Sequence, residues 1–109
     1  MTPHAVLAQP FVLPNGVVIK NRLLKSAMSE TLGNADGAPT SQLAHLYEAW
    51  AAGGIGVCVT GNVMIDRRAL GEPGNVVIED ERDMAALKAW AQAATGNGTQ
   101  CWVQLNHPG

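Results

Sequence analysis

The chain has 109 residues, 47% of them hydrophobic and 15% charged, enough apolar side chains for one packed domain and too few charges for disorder. Seven Lys and Arg against nine Asp and Glu leave a formal net charge of -2 without any basic block, which argues against a nucleic-acid partner. No apolar run reaches membrane-spanning length and the N-terminus lacks the basic and apolar regions of a secretory signal, so no membrane association and a cytoplasmic location are expected.

Residues 11–19 read Phe-Val-Leu-Pro-Asn-Gly-Val-Val-Ile, two short apolar runs about a turn in which Asn15 and Gly16 tolerate positive φ; this predicts a hairpin. Residues 23–28 form an apolar run interrupted by Lys25 and Ser26, a first strand, and a polar loop with Gly33 and Gly37 follows. Thr40 and Ser41 offer caps, and Leu43, Leu46, Tyr47, Trp50 and Ala51 recur at helical spacing until Gly53 and Gly54, predicting a helix over 41–52. Residues 55–60 are nearly continuously apolar and rich in β-branched side chains, the pattern of a strand buried on both faces.

Residues 63–79 read as a loop, long for a β-to-α connection and hence functional or structured. Asp80 can cap the next helix, Glu81 and Asp83 suit the positive end of its dipole, and Met84, Leu87, Trp90, Ala91 and Ala94 make one apolar stripe ending near Thr95. Gly96-Asn97-Gly98 supplies a stop, and 99–105 is a third strand. A hairpin followed by β-α-β-α-β gives parallel strands with helices on one face. Because no G-x-G-x-x-G turn follows either of the first two strands, a barrel is favoured over a dinucleotide-binding sheet.

Cys58 and Cys101 sit in apolar strand settings without C-x-x-C or metal-ligand spacing, so both are expected to be buried reduced thiols and no metal site is expected. The third strand ends in Gln104 and His107. Polar side chains at the carboxyl end of a barrel strand build ligand sites, and the chain is expected to be a piece of a larger enzyme.

Five segments in order, Leu-Pro-Asn-Gly-Val-Val-Ile-Lys-Asn-Arg-Leu, Lys-Ser-Ala-Met-Ser-Glu, Ala-Gly-Gly-Ile-Gly, Thr-Gly-Asn-Val-Met and Gln-Leu-Asn-His-Pro-Gly, together resemble the old yellow enzyme family of NADH:flavin oxidoreductases. The resemblance implies an α/β fold, a partial (β/α)8 TIM barrel: residues 1–20 as a hairpin cap on the barrel floor, and 21–109 as the first three parallel strands with two helices. It implies FMN as cofactor and NADH or NADPH as electron donor. It also implies hydride transfer to the β-carbon of an activated alkene or dienoyl substrate, with a Tyr from a later strand protonating the α-carbon.

Carried over by motif, Ser26, Ala27, Met28 and Ser29 lie along the flavin ring, with the Ser29 hydroxyl near the O4 and N5 edge as a donor that favours the reduced ring or, alternatively, capping a helix or turn. Ala27 departs from the Pro often seen at its position. Asn62, after Gly61, falls beside the ring, with a turn residue as its alternative. Gln104 would accept from the flavin N3 proton and donate toward O2, the alternative being an ordinary buried Gln.

No catalytic residue is assigned, because the family's substrate-binding His pair or His and Asn, its Tyr donor and its phosphate-holding groups come from later strands. His107 is expected to order its loop and Asp66-Arg67-Arg68 to form a loop ion pair. His45 is expected at the surface or half-buried, and Trp50, Trp90 and Trp102 in helix-sheet packing. The isolated chain is expected to be inactive and to self-associate through open strand edges. Two alternatives stand beside this: a non-catalytic αβ interaction module that binds no flavin, and another barrel class sharing only the scaffold.

Overall fold

The computed structural model describes residues 2–109. It opens on a short helix that no apolar periodicity announced, α1 (Pro3–Leu7). The Thr2 hydroxyl caps it by accepting from the Ala5 amide, and Pro3 occupies the first turn, where an N–H would have no helical partner. The hairpin pairs β1 (Phe11–Val12) with β2 (Val18–Ile19), antiparallel, with Phe11 opposite Ile19. Gly16 carries the positive φ of the turn. Asn15 does not; instead its Oδ1 accepts from the Val17 amide.

Four parallel strands make the main sheet: β3 (Leu24–Lys25), β4 (Val57–Met64), β5 (Val76–Val77) and β6 (Gln100–Asn106). β4 is central. β3 and β5 share one of its edges in succession, at Val57 and Cys58 and then at Val63 and Met64, while β6 runs along the other.

Three expectations change here. The first strand covers two residues rather than 23–28, because the chain beyond Lys25 leaves the sheet to cross Gly61. The second strand runs to Met64 rather than stopping at 60, since pairing with β6 resumes at Asn62 after an irregularity at Thr60 and Gly61. The long loop is correspondingly shorter, and β5 inside it extends the edge that β3 vacates.

α2 (Ser41–Ala52) is capped by Thr40, whose hydroxyl accepts from the Leu43 amide at 3.2 Å. α3 (Met84–Ala94) starts after Asp83, which makes no side-chain cap bond. The expected cap, Asp80, turns instead to the Arg82 amide and guanidinium. A 3-10 turn over Gly96–Gly98, with Asn97 at φ 59°, leads into β6.

Both helices pack on one face of the sheet around Leu43, Tyr47, Cys58, Val63, Val76, Trp90 and Ala94. Each large apolar side chain taken from water there contributes roughly 1.5–3 kcal/mol. Tyr47 meets Trp50 and Trp90 edge to face at 4.9 and 5.3 Å. Cys58 is buried, whereas Cys101, packed against the same cluster, is only half-buried, short of the burial expected for it.

Trp102 departs from the expected helix-sheet packing. Alternation along β6 puts Cys101 on the helix face and Trp102 on the opposite one, where it lines a groove with Leu24, Val57 and the hairpin residues Phe11, Leu13 and Ile19. The hairpin thus sits against the amino ends of the strands, leaving their carboxyl ends open. No helix among the described residues is long and apolar enough to cross a membrane.

Candidate functional site

The carboxyl half of β4 is built around a bulge. Val59 pairs with Trp102 and Asn62 with Gln104, so Thr60 and Gly61 together oppose Val103 alone. In an unbroken ladder Asn62 would pair with Leu105 and face the helices. The extra residue turns it over, and Asn62 emerges on the same face as Gln104.

The bulge costs little in lost hydrogen bonds because Thr60, fully buried, repairs it: its hydroxyl accepts from the Gln104 amide at 3.1 Å and donates to the Gly61 carbonyl at 2.8 Å. Asn106, two residues beyond Gln104, adds a third amide to that face and donates to Asn62 Oδ1 at 3.2 Å. Gln104 is exposed in this part of the barrel.

Ser26, Ala27, Met28 and Ser29 form an exposed, extended segment passing the same end of the sheet. Lys25 Nζ, over the Trp50 ring at 4.5 Å, ties its start to β4 by donating to the Ser26 carbonyl at 2.6 Å and the Val59 carbonyl at 3.0 Å. Met28 lies so close to Gly61 that any Cβ there would strike its carbonyl oxygen; this contact is why residue 61 is Gly. The Ser29 hydroxyl donates to the Glu72 carboxylate, so it is already engaged by the loop preceding β5. Ser29, Gly61 and Asn62 line one small hollow, and Asn62 adjoins Gln104 across the ladder.

Behind this surface lies a polar chain that the apolar pattern concealed. The Gly61 amide donates to the Tyr47 hydroxyl at 3.2 Å, and that hydroxyl donates to Glu30 Oε1 at 2.8 Å. Burial pushes the Glu30 carboxyl above its ordinary value against the lowering effects of Tyr47 and Lys25. Burial first and Glu30 second push the Tyr47 phenol up as well, so the hydroxyl stays protonated and remains a donor. Tyr47 is the sole tyrosine of the chain and fell within an apolar helical stripe; its one polar atom was the available signal. Thr60, read as a β-branched strand residue, gave none.

The remaining polar residues are structural. Arg68 pairs with Asp66 at 3.0 Å, and hydrogen bonds from Arg68 hold the Asp66 carboxyl well below the usual range. Arg67 pairs with Glu79 at 2.8 Å. His107 Nδ1 accepts from the Gly109 amide at 3.0 Å while Nε2 lies 3.6 Å from Asp66, in keeping with a loop-ordering role. His45 is exposed. Burial pushes the Cys101 thiol up to about 11 and raises Cys58, so neither is an activated nucleophile. Among the described residues no cluster suits a metal ion.

The three carboxamides on one face, Gln104 exposed and Asn62 and Asn106 half-buried, offer paired donors and acceptors, a set that matches the carbonyl and N–H edge of a planar heterocycle. Beside this geometry stand the similarities to known proteins. Residues 6–109 match the model of the NADH:flavin oxidoreductase / NADH oxidase family. The chain is 38% identical to the NADH-dependent flavin oxidoreductase iliE of Hypocrea jecorina, covering 97% of the chain but 27% of that protein. It is also 38% identical to the NADH:fumarate oxidoreductase of Klebsiella pneumoniae, over 100% of the chain and 12% of that protein. Among solved structures, the old yellow enzyme of Trypanosoma cruzi superposes with a TM-score of 0.86 at 19% identity, over 99% of the chain and 28% of that structure. At such identity the match speaks to fold alone, and the fold is a partial (β/α)8 barrel.

Proposed function

The chain belongs to the NADH:flavin oxidoreductase / NADH oxidase family, and from that premise we propose that it forms the flavin-facing portion of an FMN-dependent oxidoreductase. The donor would be NADH or NADPH and the acceptor an activated alkene or dienoyl substrate. The observation that carries this is the register of β4 and β6, which sets the Asn62 and Gln104 amides side by side at the carboxyl end of the sheet. The similar Klebsiella protein is named for fumarate, an alkene activated by carboxyl groups, which supports the acceptor class.

Gln104 would accept from the ring N3–H and donate toward O2, where negative charge gathers on reduction. Asn62 would lie against the ring beside it, and the 26–29 segment along its length. With its hydroxyl held by Glu72, Ser29 would present its Oγ lone pairs or its backbone rather than a free proton. The chemistry FMN supplies when bound is two-electron hydride transfer between nicotinamide and alkene. This chain's part is to orient the ring. The phosphate site, the substrate-activating side chains and the proton donor are not among the residues placed here.

Expression of the complete reading frame tests this directly. The purified protein should be yellow, release FMN on denaturation and oxidise NADH or NADPH in the presence of an activated alkene. Gln104→Leu should weaken FMN binding about tenfold, the equivalent of one to two hydrogen bonds, or shift the flavin potential. A colourless protein that takes up no added FMN would instead favour a non-catalytic interaction module.

A further inference from the structure

We infer that Glu30 and Tyr47 are positioning residues for the bulge that aims the Asn62 and Gln104 amides, an inference that rests on the flavin-orienting role proposed above. The Gly61 amide, freed from the ladder by the bulge, ends on the Tyr47 hydroxyl, and Tyr47 is fixed in turn by Glu30. Glu30 lies one residue beyond the 26–29 segment, Tyr47 on α2, and Gly61 one residue before Asn62. One hydrogen-bonded line therefore joins the flavin-facing loop, a helix and the strand that turns Asn62 over.

Two features set this line apart from ordinary core filling. First, the second Glu30 oxygen, Oε2, is buried without a hydrogen-bond partner and lies against Gly61, so this carboxylate is held where its solvation is poor. An apolar side chain would fill that space without the penalty, but could not accept from Tyr47. Second, the line meets the bulge at its extra residue. Were the Tyr47 hydroxyl absent, the buried Gly61 amide would lose its well-formed hydrogen bond and be left with the neighbouring Glu30 carboxylate alone, and a regular ladder that returns Asn62 to the helix face would become the better-satisfied arrangement. Thr60 holds the same bulge from the β6 side through the Gln104 amide, so both amide-bearing strands depend on it.

The test uses the protein expressed from its complete reading frame, with FMN as probe. Tyr47→Phe removes one hydroxyl and nothing else. Glu30→Asp keeps the charge but withdraws it by one methylene, and Glu30→Gln keeps an acceptor in place for Tyr47. Tyr47→Phe and Glu30→Asp should each weaken FMN binding about tenfold and shift its visible absorption bands, whereas Glu30→Gln should stay close to wild type on both counts. Hydrogen-deuterium exchange over residues 57–64 should rise in the first two variants alone. If Tyr47→Phe fails to fold, the contrast between Glu30→Asp and Glu30→Gln decides. Folded variants that bind FMN with unchanged affinity and bands overturn the inference. Should the wild-type protein bind no FMN, the flavin role fails by itself. The positioning line is then judged by exchange: faster exchange in Tyr47→Phe and Glu30→Asp but not in Glu30→Gln upholds it, and unchanged exchange refutes it.

Discussion

A methyl group at residue 61 would strike the Met28 carbonyl oxygen and the Glu30 carboxylate, and the Met28 contact is backbone, which cannot swing aside as a side chain can. Gly61→Ala should therefore destabilise the fold by about 1–3 kcal/mol, the usual result of overpacking, measurable as a lower urea midpoint at unchanged slope. Glu30 makes a prediction of opposite character. Burial holds its carboxyl above the ordinary value, so between the unfolded and folded values the native chain keeps a proton that the unfolded chain has lost. The stability linked to that proton is fully present below the unfolded value, about 4.3, and fades as pH rises through the folded one. The charged and titratable groups acting on it are Lys25 from β3 and Tyr47 from α2, whose phenol is itself pushed up and stays protonated. Urea midpoints measured from acid to neutral pH should fall with this component in the wild type. In Glu30→Gln that component should be absent.

Among the elements, the two main helices differ at their starts in a way that mutation can read. Thr40 caps α2 by accepting from the Leu43 amide, whereas Asp83 at the head of α3 makes no such bond and leaves Oδ2 buried and unpartnered. Thr40→Ala should cost about 1 kcal/mol in thermal or urea unfolding, while Asp83→Asn should be neutral or stabilising. The helices were legible in sequence because a 3.6-residue apolar repeat is set by the helix alone. The first strand was not, because its length depends on a contact with Gly61 from another strand. β5 was invisible for the same reason: two residues become a strand only because β3 leaves an edge free. The site was half legible. Gln104 and Asn62 stood out as polar residues closing apolar runs, but their shared face follows from a bulge, and periodicity presumes a ladder without one. Glu30 and Tyr47 went unread because the one sign, a hydroxyl within an apolar helical stripe, does not say which carboxylate 17 residues away it meets.

At the scale of the molecule, four parallel strands with helices on one side leave the other side of the sheet short of cover. The radius of gyration is 15.0 Å, against roughly 13 Å for a compact domain of this length, and the extents of 50 × 28 × 22 Å describe an open slab. Leu24 and Trp102 on the uncovered face are 54% and 39% exposed, and on β6 Val103 and Leu105 are 46% and 63% exposed. Among the described residues, β6 pairs only with β4, so its outer edge carries a row of free backbone donors and acceptors. An apolar trough between α3 and β6, lined by Leu87, Trp90, Ala91, Cys101 and Val103, runs beside that edge. A strand edge with apolar surface on both flanks templates pairing, and the partner always at hand is a second copy of the same edge. Residues 1–109 expressed by themselves should accordingly sediment above the mass of one chain, with an average mass that rises with concentration. Val103→Lys with Leu105→Lys should shift the distribution toward monomer, since charge on an edge strand opposes that pairing. Monomeric behaviour of the unaltered chain at tens of micromolar would mean that the exposed face is satisfied in some other way.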